Sequence, residues 1–85
     1  MTPRRLVARI LRGVFRNVAF TDLIRMLEAL GFRESGGGAS RRVFVRAGVT
    51  ALVNPQDEKG EAKHYQAPPI VTLVRQYNLE LEEGQ

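Results

Sequence analysis

The side chains of most chemical interest lie between residues 39 and 66. Arg41-Arg42-Val43-Phe44-Val45-Arg46 puts three guanidinium groups within six positions. Arginine forks match phosphate oxygens in bidentate pairs and keep their charge at any ordinary pH. His64 is the single histidine, and an imidazole is the side chain best suited to move a proton near neutral pH. Lys63 precedes it and Tyr65 and Gln66 follow it. Phosphate binding and, through His64, proton transfer are therefore the chemistries this set supports; against them stand a solvated basic face and an ordinary exposed loop histidine. Without cysteine, and with one histidine, the chain offers neither disulfides nor a thiolate or His-rich metal site, so no metal or cofactor is expected. Gly36, Gly37 and Gly38 could let a phosphate approach the backbone, but a lone glycine run is a weak signal and a flexible hairpin loop is the preferred reading.

The charge is unevenly placed. Residues 1–46 hold ten arginines against three acids, whereas residues 47–85 hold three bases against six acids, for a net charge of +4. A basic half on a small domain points to a polyanion, with nucleic acid first. At 85 residues, 44% of them apolar, the chain can bury one modest core. No apolar run reaches the roughly 20 residues that span a bilayer, and no secretory h-region is present, so a cytoplasmic protein without a membrane partner is expected.

The elements that must position these groups follow from periodicity. Residues 4–16 set Leu6, Val7, Ile10, Leu11 and Val14 on one helical stripe and Arg5, Arg9, Arg12 and Arg16 on the opposite one, which predicts a basic amphipathic helix. Such a helix packs against the domain or serves self-association. A second helix is predicted over residues 22–30, capped by Thr21, favoured by Asp22 in its first turn and ended by Gly31. Short β-branched or aromatic runs at residues 32–34, 41–46 and 49–53 predict a three-stranded meander. Residues 54–66 read as a long polar loop. Pro68 and Pro69 suit the first turn of a last helix over about residues 68–78, in which Ile70, Leu73, Val74 and Tyr77 share a stripe. An acidic, frayed tail closes the chain.

The expected fold is α+β: an extra N-terminal amphipathic helix followed by α-β-β-β-α, with two helices on one face of an antiparallel sheet. Along the second strand, Val43 and Val45 share one face and Arg42, Phe44 and Arg46 the other. With the valines inward, Arg42 and Arg46 flank an exposed Phe44, an arrangement able to bind phosphates and stack a base. With Phe44 inward, the two arginines snorkel around a core residue. One strand does not choose between these.

Six segments in order and register resemble the HicA family of toxins: Asn17-Val18-Ala19-Phe20-Thr21-Asp22-Leu23, Leu27-Glu28-Ala29-Leu30-Gly31-Phe32, Ser40-Arg41-Arg42-Val43-Phe44, Asn54-Pro55-Gln56, Gly60 to Gln66, and Leu73-Val74 to Tyr77-Asn78-Leu79. The resemblance covers about residues 10–80. It implies a fold like that of double-stranded RNA-binding domains, mRNA endoribonuclease (hydrolase) activity and a HicB-like antitoxin partner. On this reading residues 1–19 form the basic helical extension, residues 20–80 the HicA-like domain and residues 81–85 the acidic tail. The RNA-binding positions are Ser40, Arg41, Arg42, Arg46, Lys63 and Gln66.

The chain departs from the family pattern at three places. Where the family's second strand opens with Gly-Ser-His, this chain reads Ala39-Ser40-Arg41, so the catalytic histidine maps to Arg41. The family's Asn-Leu-Gln is Asn54-Pro55-Gln56, and a family proline is replaced by His64. Arginine binds phosphate and stabilises negative charge but stays protonated and cannot act as a general base. Cleavage is expected to be impaired over retained RNA binding, with His64 as the remaining candidate proton carrier. Three classes follow from the residues. A weakened RNA binder predicts affinity without rapid cutting. A ribonuclease using His64 or arginines predicts 2′,3′-cyclic phosphate ends. A protein-interaction relic, binding antitoxin or itself, predicts no RNA affinity at physiological salt.

Overall fold

The computed structural model describes residues 1–36 and 42–82. In chain order the elements are α1 (Pro3–Leu11), α2 (Phe20–Ala29), β1 (Arg33–Glu34), β2 (Phe44–Arg46), β3 (Val49–Val53), β4 (Asp57–Glu58), β5 (Glu61–Ala62), a 3-10 turn at His64–Gln66 and α3 (Ala67–Gln76). Among the described residues the molecule is thus a small α+β domain of three helices and two antiparallel sheets, ordered β1-β2-β3 and β4-β5. No helix among them is long and apolar enough to cross a membrane.

Backbone chemistry ends the helices. α1 is capped by the Thr2 hydroxyl, which accepts from the Arg5 amide, and Pro3 occupies a position where a missing N–H costs nothing. It stops at Leu11 and does not run on to residue 16, because Gly13 adopts φ +81° and the Val14 amide reaches back to the Arg9 carbonyl, a Schellman closure. Val14 is consequently exposed, while Leu6 and Ile10 are buried. The expected Gly31 stop is present in the same form: φ is +96° and the Phe32 amide bonds the Leu27 carbonyl. Asn78 (φ +53°) repeats the device after α3, with the Leu79 amide on the Val74 carbonyl.

The start of α2 differs from the sequence expectation. Thr21 lies inside the helix, and the cap position is Ala19, which has no side-chain cap to offer. The tertiary structure supplies the missing constraint: the Phe20 amide donates to the Gly60 carbonyl, Ala19 bridges Glu61, and the Ala62 amide donates to the Val18 carbonyl. The strands that make these bonds lie in the segment expected to be a loop. Lys59 and Gly60 both have positive φ (54° and 88°), which suits a type I′ two-residue hairpin between β4 and β5, and the Gly60 amide donates to Asp57 Oδ1 at 2.7 Å.

One core joins the helices to the sheet. Leu6, Ile10, Val18, Leu23, Met26, Leu27, Leu30, Phe32, Ile70 and Phe44 meet in it, with Val49 and Val53 of β3 packed alongside. α1 therefore belongs to the same core as the rest of the domain. Phe44 is fully buried, whereas Val45 is exposed, so the second strand turns Arg42, Phe44 and Arg46 inward. Of the two arrangements open to the strand, the one with Phe44 in the core is found: a phenyl ring removes more apolar area from water than either valine, and the long arginine stems allow their heads to leave the core at its rim. The tail is docked as far as Glu82. Leu79 is buried, Leu81 packs on the core and the Glu82 amide donates to the Ala29 carbonyl.

Candidate functional site

Ser40 and Arg41 lie outside the described residues. The two arginines that follow are placed, and they part company. Arg42 donates from Nε to Glu34 Oε2 and from Nη2 to Oε1, both at 2.8 Å, a bidentate pair across β1 and β2. Its guanidinium also stands 5.7 Å from the Phe20 ring centre and 5.6 Å from that of Phe44. The hydrogen bond from Arg42 holds the Glu34 carboxyl below its usual range, and the same bond raises the Arg42 pKa. Arg46 points the other way along α2. Its Nε donates to the Leu30 carbonyl at 2.8 Å and Nη1 to the Ala47 carbonyl at 3.0 Å, so it closes the negative end of the helix. One arginine thus sits over the first residue of a ten-residue helix and the other at its last turn, roughly 15 Å apart at 1.5 Å per residue. Arg42 and Arg46 therefore do not share a single phosphate cradle.

The second group of expected residues does converge. Lys63, His64, Tyr65 and Gln66 follow β5 directly, and the hairpin that pins α2 also fixes where they start. An open cleft of about 500 Å³ is lined by Lys63, His64 and Tyr65 together with Phe15, Arg16, Asn17 and Lys59, and also by the carboxylates Glu58 and Glu61, so its three cations exceed its acids by one charge. Glu58 forms an ion pair with Lys63 and holds its pKa above the ordinary lysine value. His64 is exposed and meets Tyr65 edge-on, ring centres 6.0 Å apart. Among the described residues no hydrogen-bond partner orients its imidazole, and no group of three His, Cys, Asp or Glu side chains could hold a metal.

Tyr65 divides this cleft from a second, smaller one. The latter, about 230 Å³, lies between β3 and α3 and is lined by Leu52, Val53, Asn54, Pro55, Gln56, Tyr65, Gln66, Pro69, Ile70 and Leu73. Tyr65 is half-exposed, its hydroxyl 3.5 Å from Gln56 Oε1, and Lys63 Nζ stands 5.9 Å from its ring centre. Gln66 donates weakly from Nε2 to the Gln56 carbonyl at 3.5 Å, while its Oε1 is buried without a partner. Such an unmet acceptor costs about 1–3 kcal/mol.

Sequence reasoning missed Arg16, Asn17 and Lys59 as cleft residues. The signal available was Asp57-Glu58-Lys59-Gly60, a turn sequence that marks a hairpin and so brings Lys59 to the same cleft as Lys63. Arg16 and Asn17 carried no such signal, because their placement depends on where α1 stops. Comparison of the chain with protein-family models, with curated proteins and with solved structures finds no match.

Proposed function

We propose that this chain is an RNA-binding domain of the HicA-like toxin type, impaired as an mRNA endoribonuclease because Arg41 stands where the family pattern has its catalytic histidine. The element order α2-β1-β2-β3-α3, with the strands adjacent in chain order, is compatible with a fold like that of double-stranded RNA-binding domains. The observation that carries the reading is the gathering of Lys63, His64 and Tyr65 with Arg16 and Lys59 around one cleft, where the three cations outnumber Glu58 and Glu61 and where Lys63 must exchange Glu58 for a phosphate, since it joins a segment of the HicA resemblance to cations that resemblance did not involve. Phosphate groups are the natural occupants of such a cleft, and single-stranded or messenger RNA is the polyanion in question. A HicB-like antitoxin is the protein partner, and the cytoplasm the compartment, that this function requires.

Arg41→His tests the catalytic half. A titratable imidazole should raise RNA cleavage by up to the roughly 10²- to 10⁴-fold typical of general acid–base catalysis and give the rate a pH dependence near neutrality. Cleavage by the unmodified protein as fast as by Arg41→His would defeat the impaired-toxin reading and turn attention to His64, already in the cleft. Absence of RNA affinity at physiological salt would leave the protein-interaction reading.

A further inference from the structure

The smaller cleft has the attributes of a base-reading slot. It is below the roughly 300–1,000 Å³ of drug-sized pockets, so it suits one planar ring system and not an extended cofactor. Its walls are apolar at Leu52, Pro69 and Ile70, and Leu52 is 60% exposed, leaving apolar surface that a ring would cover. Tyr65 offers a half-exposed face of the kind on which bases stack. Gln66 supplies the polar contact: Oε1 is buried and lacks a partner among the described residues, its amide is held by a long 3.5 Å contact to Gln56, and rotation about the soft terminal torsion of a glutamine would turn the oxygen into the slot. A ligand N–H would satisfy this acceptor. On the other side of Tyr65 lies the larger, net basic cleft, where Arg16, Lys59 and Lys63 outnumber Glu58 and Glu61 by one charge, which favours a ring that carries a phosphate over a neutral peptide ring once Lys63 exchanges Glu58 for it.

We infer that this slot takes one nucleobase of a bound RNA strand, stacked on Tyr65 and paired by an N–H to Gln66 Oε1, with its phosphate toward Lys63. The inference rests on the RNA-binding reading and adds a base-contacting site to it.

The full-length chain is titrated by NMR with AMP, with N6,N6-dimethyl-AMP, which lacks the amino N–H, and with ribose 5-phosphate; a single-stranded RNA 20-mer is added separately. AMP should saturably shift the Tyr65 ring and Gln66 side-chain amide signals, and the dimethyl analogue should bind at least about fivefold more weakly. Ribose 5-phosphate should move only signals of the basic cleft. Gln66→Leu, which removes the orphaned acceptor without emptying the site, should abolish the preference for AMP over the analogue while its unfolding curve stays cooperative. AMP and ribose 5-phosphate shifting the same signals, with Tyr65 unmoved, would overturn the slot and leave RNA binding standing. No response to any of the three small probes or to the 20-mer would overturn the slot together with the reading beneath it.

Discussion

Arg42 and Glu34 meet through two parallel 2.8 Å hydrogen bonds, so this arginine is engaged by a carboxylate in the free protein. A phosphate that uses Arg42 must displace Glu34. Glu34→Gln should therefore raise RNA affinity several-fold and steepen its salt dependence by up to about 0.7 per freed contact for a single strand. Fluorescence anisotropy across a salt series measures both, and an unchanged slope would show that Arg42 takes no phosphate. Acid is a poor substitute for the mutation. The Arg42 bond lowers the Glu34 pKa, so the pair's contribution is present above the ordinary carboxylate range and is lost only as pH falls through the depressed value. Across the neutral range the bridge stays closed.

Arg46 has the opposite expectation. Its bonds to the Leu30 and Ala47 carbonyls are structural, and hydrogen bonds from charged groups contribute about 1.5–3 kcal/mol. Arg46→Ala should lower the unfolding free energy by roughly that amount, discounted for partial exposure, and leave the affinity per folded molecule within about twofold. Urea unfolding beside RNA titration separates the two, and a large affinity loss at full stability would restore Arg46 to the RNA surface.

Phe44→Ala removes a fully buried ring and should cost about 3–5 kcal/mol, enough to unfold much of a domain this small. Val45→Ala, one position along on the exposed side, should cost under about 1 kcal/mol. Equal costs in chemical denaturation would mean that the strand faces the other way.

If a HicB-like antitoxin masks the RNA surface, its binding should slow amide exchange in the hairpin and in the Lys63–Gln66 turn. Hydrogen exchange with and without the partner reads this directly, and protection confined to exposed positions of α1 would contradict it.

The parts legible in the sequence were those fixed by local rules. The body of α2, its Gly31 stop, β3 and the two prolines opening α3 all follow from periodicity and backbone chemistry within a few residues. Three features needed the tertiary structure. Phe44 and the valines beside it are both apolar, so alternation alone could not say which set faced inward. The start of α2 is held by the Gly60 carbonyl, forty residues from Phe20, and not by a local cap. The hairpin β4-β5 was hidden because its strands are two residues each and largely exposed, leaving only its turn to be recognised. The candidate site divided along the same line: the contiguous Lys63–Gln66 run was legible, but the cations that join it across the cleft were not.

Gly31 and Arg46 occupy one volume. A Cβ at position 31 would stand 2.8 Å from Arg46 Nε, and the φ of +96° there is itself hostile to a side chain. The two positions therefore cannot drift independently. In a set of relatives sharing this fold, a residue other than glycine at the position of Gly31 should be accompanied by a shorter one at that of Arg46, with asparagine the first to be tolerated because it accepts the left-handed backbone. Paired change of that kind would trace the arginine's packing role across such a set, separately from any pressure exerted by a ligand.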